Sequence, residues 1–165
     1  MAFQTPITIH AALSRIRDRE YVLPAIQREF VWDTDQICKL FDSLMRGYPI
    51  GSFLFWKVTP ERAKDFNFYR FLKDYHEKDG RHCPPADLPP GQAVTAILDG
   101  QQRLTSLNVG LRGTHAERKR YGHKKDPNAY PKRRLYLNLA ADAPDDSEAA
   151  CGTLSGFCPT TRRTS

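Results

Sequence analysis

The amino-acid sequence predicts one domain that mixes helices with short strands. Three observations lead there. Residues 9–16 and 37–45 repeat their apolar positions at helical spacing. Residues 21–23, 52–58, 93–98 and 134–139 are short aromatic or β-branched runs of strand length. The chain has 165 residues, 40% of them hydrophobic, which suffices for one packed core with a tail but not for two large domains.

The elements follow in order. Thr8 is placed to cap a first helix in which Ile9, Ala12, Leu13 and Ile16 share one face. Residues 21–23 form a short strand that Pro24 ends. Asp33 is a good N-cap for a second helix, Gln36 stands where a capping box needs its return partner, and Ile37, Leu40, Phe41, Leu44 and Met45 make its stripe. Gly47 stops it, with Pro49 just beyond. Residues 65–75 are aromatic-rich and fit either a strand or a helix. Residues 81–91 hold four prolines and read as a loop. A strand over 93–98 leads into a helix over 101–111, with Leu104, Leu107 and Leu111 inward and Gly113 as its stop. Residues 134–139 alternate as a half-buried strand. The expected domain spans residues 1–140; residues 141–165 are small, polar and turn-rich and are expected to be disordered or foreign to the fold.

Charge and composition narrow the classes. The net charge is +6, and residues 112–134 hold nine basic side chains against two acidic ones, so the rest of the chain is nearly neutral. Such a block favours a polyanionic partner or a solvated loop. No run approaches the roughly 18 apolar residues that span a bilayer, and the first ten residues lack a signal-peptide pattern. The expectation is a cytoplasmic chain without a membrane partner, its four cysteines reduced. Cys38 reads as helix packing, and Cys151 and Cys158 lack a second pair to complete a zinc site. No Ser/His/Asp, Cys/His or His-Asn-His arrangement can be assembled.

The chemistry gathers at Asp99-Gly100-Gln101-Gln102-Arg103, between an apolar strand and an apolar helix. The first N–H groups of a helix lack internal partners and, with the positive end of its dipole, favour an anion. Gly100 lets a phosphate approach the backbone. Arg103 offers a bidentate fork, and Gln101 and Gln102 offer amide donors for phosphate, base or ribose. Asp99 would repel a phosphate unless Mg²⁺ or water lay between, which makes it the candidate to hold metal or orient an attacking water. The plainer alternative is a capped helix with Asp99 as N-cap and Arg103 in solvent.

Two further groups stand out. Gln27 and Arg28 have the chemistry to read a base edge or a phosphate, and Trp32 to stack on a base; equally, Phe30 and Trp32 belong in a core with Arg28 and Glu29 solvated. In the basic block, Arg118, Lys119, Arg120, Lys124 and Lys125 are interleaved with Tyr121, His123 and Tyr130, a composition suited to DNA as well as to a solvated loop.

Three segments together resemble one family. They are Val22-Leu23-Pro24-Ala25-Ile26-Gln27-Arg28-Glu29-Phe30-Val31-Trp32, then Leu40-Phe41-Asp42-Ser43-Leu44-Met45-Arg46-Gly47-Tyr48-Pro49-Ile50-Gly51, then Leu98-Asp99-Gly100-Gln101-Gln102-Arg103-Leu104-Thr105-Ser106-Leu107. In order and spacing they resemble the N-terminal domain of GmrSD-type, modification-dependent (type IV) restriction proteins, across roughly residues 8–111. The resemblance implies an α+β fold of ParB/sulfiredoxin type, a small mixed sheet with helices packed around it. It implies that Gly100 and Arg103 hold nucleotide phosphates, with Gln101, Gln102 and Thr105 beside them. It also implies NTP hydrolysis with Mg²⁺ at this corner, and a place for Gln27 and Arg28 in the same cleft or in sensing modified DNA. Family members usually carry a C-terminal HNH-type nuclease domain, so the expected partners are a nucleotide, DNA and a nuclease domain that is separate or missing. The alternatives are a non-catalytic ParB-like DNA or nucleotide sensor, or an inactive gene fragment.

Overall fold

A computed structural model describes residues 5–25, 29–89 and 91–137, and the backbone of 154–159. In chain order the elements are α1 (Ile9–Arg17), β1 (Tyr21–Pro24), α2 (Thr34–Met45), β2 (Leu54–Val58), α3 (Pro60–Ala63), β3 (Phe68–Tyr69), β4 (Asp74–His76), β5 (Val94–Asp99), α4 (Gln101–Arg112), β6 (Thr114–Ala116), a 3₁₀ turn (Pro127–Ala129), β7 (Arg133–Leu137) and β8 (Leu154–Pro159). The fold is mixed α/β with two small mixed sheets. The chain divides into two compact units, one of residues 1–28, 52–71 and 83–101, the other of residues 29–51, 72–82 and 102–165.

The first unit is built on the sheet β2-β5-β1-β3. β1 runs parallel to β5, pairing Val22 with Ala96, while β2 and β3 are antiparallel to their neighbours. All four residues of β1 are buried, as a central strand requires. Its core is Val22, Val58, Phe68, Val94 and Ala96, with Trp56, Ala63, Ala86 and Leu88 packed against it. Thr8 caps α1 by accepting from the Ala11 N–H at 3.1 Å, and Ala12, Leu13 and Ile16 are buried as their spacing predicts. Arg19, at φ 61°, turns the chain into β1 and donates to the Asp87 carbonyl at 2.6 Å. Residues 65–75 contain β3 and the start of β4 and no helix, and residues 84–86 run beside β3 through Ala86 N–H to Phe68 carbonyl and Arg70 N–H to Pro84 carbonyl bonds of 2.8 Å.

The second unit carries the sheet β4-β6-β7-β8, with β4 parallel to β6 and the remaining pairs antiparallel. α2 has the expected capping box: Asp33 accepts from the Gln36 N–H at 2.8 Å, and the Gln36 side chain accepts from the Asp33 N–H at 3.1 Å. Ile37, Cys38, Leu40 and Phe41 are buried, whereas Met45 at the end of the stripe is exposed. In α4 the six residues 104–109 are all buried, including Thr105, Ser106 and Asn108. Asn108 satisfies itself by donating to the Leu72 carbonyl at 2.8 Å. Leu111, expected inward, is 55% exposed: residues 104–109 are buried on successive positions all round the helix, and Leu111 lies beyond them in the last turn of α4.

Two glycines permit this packing. At Gly110 a Cβ would stand 2.6 Å from the Phe41 ring, and at Gly113 it would stand 1.7 Å from the Lys73 carbonyl oxygen. Within residues 141–165, expected to be disordered or foreign to the fold, Leu154–Pro159 pairs antiparallel with β7; the rest of that stretch lies outside the described residues.

Candidate functional site

β5 delivers the Asp99–Arg103 corner that the sequence singled out. Val94, Ala96 and Ile97 are buried; the strand then surfaces, leaving Leu98 and Asp99 exposed. Gly100 follows, buried and at φ 87°, a conformation that side-chain-bearing residues rarely adopt, and α4 begins at Gln101. Asp99 therefore stands at the strand end, immediately before a left-handed turn and the first N–H groups of a 12-residue helix.

Gln101 and Gln102 are engaged by the chain itself. The Gln101 Nε2 donates to the Ile97 carbonyl, and the residue is 8% exposed. The Gln102 amide closes a two-point clamp on the segment after Gln27 and Arg28: Nε2 donates to the Glu29 carbonyl at 2.9 Å, and Oε1 accepts from the Val31 N–H at 3.1 Å. The sequence offers both as amide donors for phosphate, base or ribose; in the structure both side chains hydrogen-bond backbone.

Arg103 is half-buried, and its Nη1 donates to the Ile50 carbonyl. Gly51, next in sequence, lies at φ 84°, and a Cβ there would stand 2.5 Å from Nη1. Thr105 is 3% exposed, one position beyond the buried Leu104. The segments around residues 30, 50 and 103, far apart in the chain, thus meet through side-chain-to-backbone hydrogen bonds within the second unit. Gln27 and Arg28 lie outside the described residues. Glu29, beside them, pairs with His82 at 3.0 Å, and Phe30 is buried edge-on against Tyr75 with ring centres 5.4 Å apart. Trp32 is half-buried, so neither a fully enclosed nor a fully exposed indole is found. Among the described residues no three His, Cys, Asp or Glu side chains group as a metal site.

The basic block separates into two kinds of residue. Arg133 turns toward Glu117 at 3.5 Å, and Arg112 donates to the Asn108 side chain at 3.4 Å. Lys119, Arg120, Lys124 and Lys125 are exposed, and Arg118 is half-buried with its N–H donating to Glu77 at 2.6 Å. Residues 118–125 fold back on the 3₁₀ turn through a Lys119 N–H to Ala129 carbonyl bond of 2.8 Å. Tyr121 is 91% exposed, with the Arg120 guanidinium 5.8 Å from its ring centre. Cations and an exposed aromatic therefore share one presented loop.

Sequence reasoning missed β6 inside this block. His115 is 1% exposed, stacks on Tyr75 at 4.6 Å, and sets Nε2 3.4 Å from the Trp32 carbonyl. Burial pushes its imidazole below the ordinary histidine pKa, against the opposing pull of Glu117. Glu117 also accepts from the Thr34 hydroxyl at 2.9 Å. A groove of about 480 Å³ in the first unit, lined by Lys64, Phe66, Tyr69, Leu88 and Gln92 among others, was likewise unforeseen; its walls come from the aromatic 65–75 stretch and the proline-rich loop.

No helix among the described residues is long and apolar enough to cross a membrane. The sequence model of the family described as "GmrSD restriction endonuclease, N-terminal domain" matches residues 9–150. An uncharacterized protein of Methanocaldococcus jannaschii is 36% identical over 88 residues, which are 53% of this chain and 14% of that protein. The chain thus spans only a small part of the length of the relative it matches.

Proposed function

Because this chain belongs to the family of GmrSD restriction endonuclease N-terminal domains, we propose that it is the nucleotide-handling domain of a DNA-defence protein, with a ParB/sulfiredoxin-like fold. In this role Gly100 and Arg103 hold NTP phosphates, and the N–H groups at the start of α4 supply further donors. The observation that carries it is the buried, left-handed Gly100 directly before α4, with the Arg103 guanidinium oriented three residues on.

Asp99 fits Mg²⁺ in the usual nucleotide manner, where one or two protein carboxylates act together with substrate phosphates. When bound, the ion would neutralise phosphate charge. Asp99 is exposed at the strand end and would share the ion or orient a water for hydrolysis. The engagement of Gln101 and Gln102 with backbone gives them a supporting part: they hold the corner, and Arg103 and the helix start hold the anion. The nucleotide step would serve an HNH-type nuclease domain.

Calorimetric titration with each NTP and Mg²⁺ tests this. Binding that falls at least tenfold in Arg103→Ala is expected; folded protein that releases no heat with any nucleotide refutes it. The exposed loop carrying Arg120, Tyr121, Lys124 and Lys125 favours a second role in cytoplasmic DNA binding or sensing, with or without turnover.

A further inference from the structure

We propose that Gly51 is a positioning residue for Arg103: its missing side chain and left-handed backbone form the cradle that sets the guanidinium in place for a nucleotide phosphate. This presupposes the nucleotide role above and adds to it a residue from a different part of the chain. The loop after α2 contains two left-handed glycines, Gly47 at φ 74° and Gly51 at φ 84°. They share a backbone conformation and differ in surroundings. Among the described residues no atom outside Gly47 and its two chain neighbours lies within 4 Å of where a Cβ of Gly47 would stand, whereas at Gly51 the Arg103 Nη1 lies at 2.5 Å and Cζ at 3.5 Å. Gly47 needs glycine for its turn alone; Gly51 needs it for the turn and for Arg103.

The neighbouring Ile50 carbonyl accepts from the same Nη1. One face of the guanidinium is thus set by an acceptor, and its closest approach is allowed by an absent methyl. A planar fork that grips phosphate gains most when its plane is fixed beforehand, because less rotamer freedom is then lost on binding. A Cβ at residue 51 would stand 2.5 Å from Nη1, so the guanidinium must shift from this position, which displaces the end of the side chain that bonds Ile50.

The glycine pair supplies its own control. Gly51→Ala and Gly47→Ala impose the same kind of backbone strain, but only the first strikes Arg103. Each is titrated calorimetrically, beside wild type, with ATP, GTP, CTP and UTP in Mg²⁺. The Arg103 Nε–Hε resonance, assigned by its loss in Arg103→Lys, is followed in parallel. Gly51→Ala is expected to weaken nucleotide binding roughly 10- to 100-fold, the range of a charge-assisted contact, and to shift that resonance, while Gly47→Ala does neither. In an Arg103→Lys background Gly51→Ala should add nothing, since the fork it displaces is gone. If Gly51→Ala does not fold, Gly51→Asn brings the same Cβ with a side chain that tolerates this backbone. Equal affinities in the two glycine variants, or losses that add to Arg103→Lys, overturn the proposal. A wild-type chain that binds none of the four nucleotides defeats the nucleotide role itself; an unmoved Arg103 resonance in Gly51→Ala would separately defeat the cradle.

Discussion

Removing the Gln102 amide should loosen residues 29–31 without unfolding the helix that carries it. Gln102→Ala deletes two hydrogen bonds, to the Glu29 carbonyl at 2.9 Å and from the Val31 N–H at 3.1 Å. Each is worth about 0.5–1.5 kcal/mol net, and the lower half applies here because Glu29 and Val31 are exposed and water replaces the lost partner. The expected loss is therefore about 1–2 kcal/mol, read from the urea midpoint at unchanged m-value. Gln102→Glu separates the two bonds. Its carboxylate still accepts from Val31 but faces the Glu29 carbonyl without a donor. Because the residue lies in the first turn of α4, the new negative charge recovers about 0.3–1 kcal/mol from the helix dipole. Amide hydrogen exchange then gives the local assay: protection at Val31 should vanish in Gln102→Ala and survive in Gln102→Glu. Unchanged Val31 protection in Gln102→Ala would show that the clamp does not hold this segment.

Three other outcomes follow from the geometry. Burial lowers the His115 pKa, so below the ordinary value of about 6.5 the unfolded chain takes up a proton that the folded chain does not. That contribution is intact above pH 6.5 and is lost as pH falls, at no more than about 1.4 kcal/mol per pH unit; urea melts at pH 7.5, 6.5 and 5.5 should show a slope that His115→Phe flattens, and parallel curves would contradict it. Gly113→Ala should destabilise by about 3 kcal/mol or more, since its Cβ would stand 1.7 Å from the Lys73 carbonyl oxygen and backbone must move; a shift under 1 kcal/mol by denaturation would refute that approach. Neutralising Arg120, Lys124 and Lys125 together should reduce the salt slope of DNA binding by about 2–3, roughly one per phosphate contact, and an unaltered slope would remove this loop from the interface.

The sequence by itself determined the elements whose signals are local. Thr8 before α1, the Asp33–Gln36 capping box of α2 and the left-handed Gly47 after it are short-range chemistry, and each stands where spacing places it. The corner at Gly100 was legible for the same reason, as a glycine between an apolar strand and a helix. Only the tertiary structure decided what touches that corner. That Gln102 clamps residues 29 and 31, and that Arg103 rests on Ile50 beside Gly51, depends on segments more than 50 positions away, and no periodicity encodes such pairings. β6 escaped notice because its His115 is buried through stacking and a backbone contact rather than through apolar character. Leu111 was misplaced because a helix buried on successive residues has no single stripe to read. Local propensity acts over a few residues, whereas a side chain's partner is chosen by the packed chain around it.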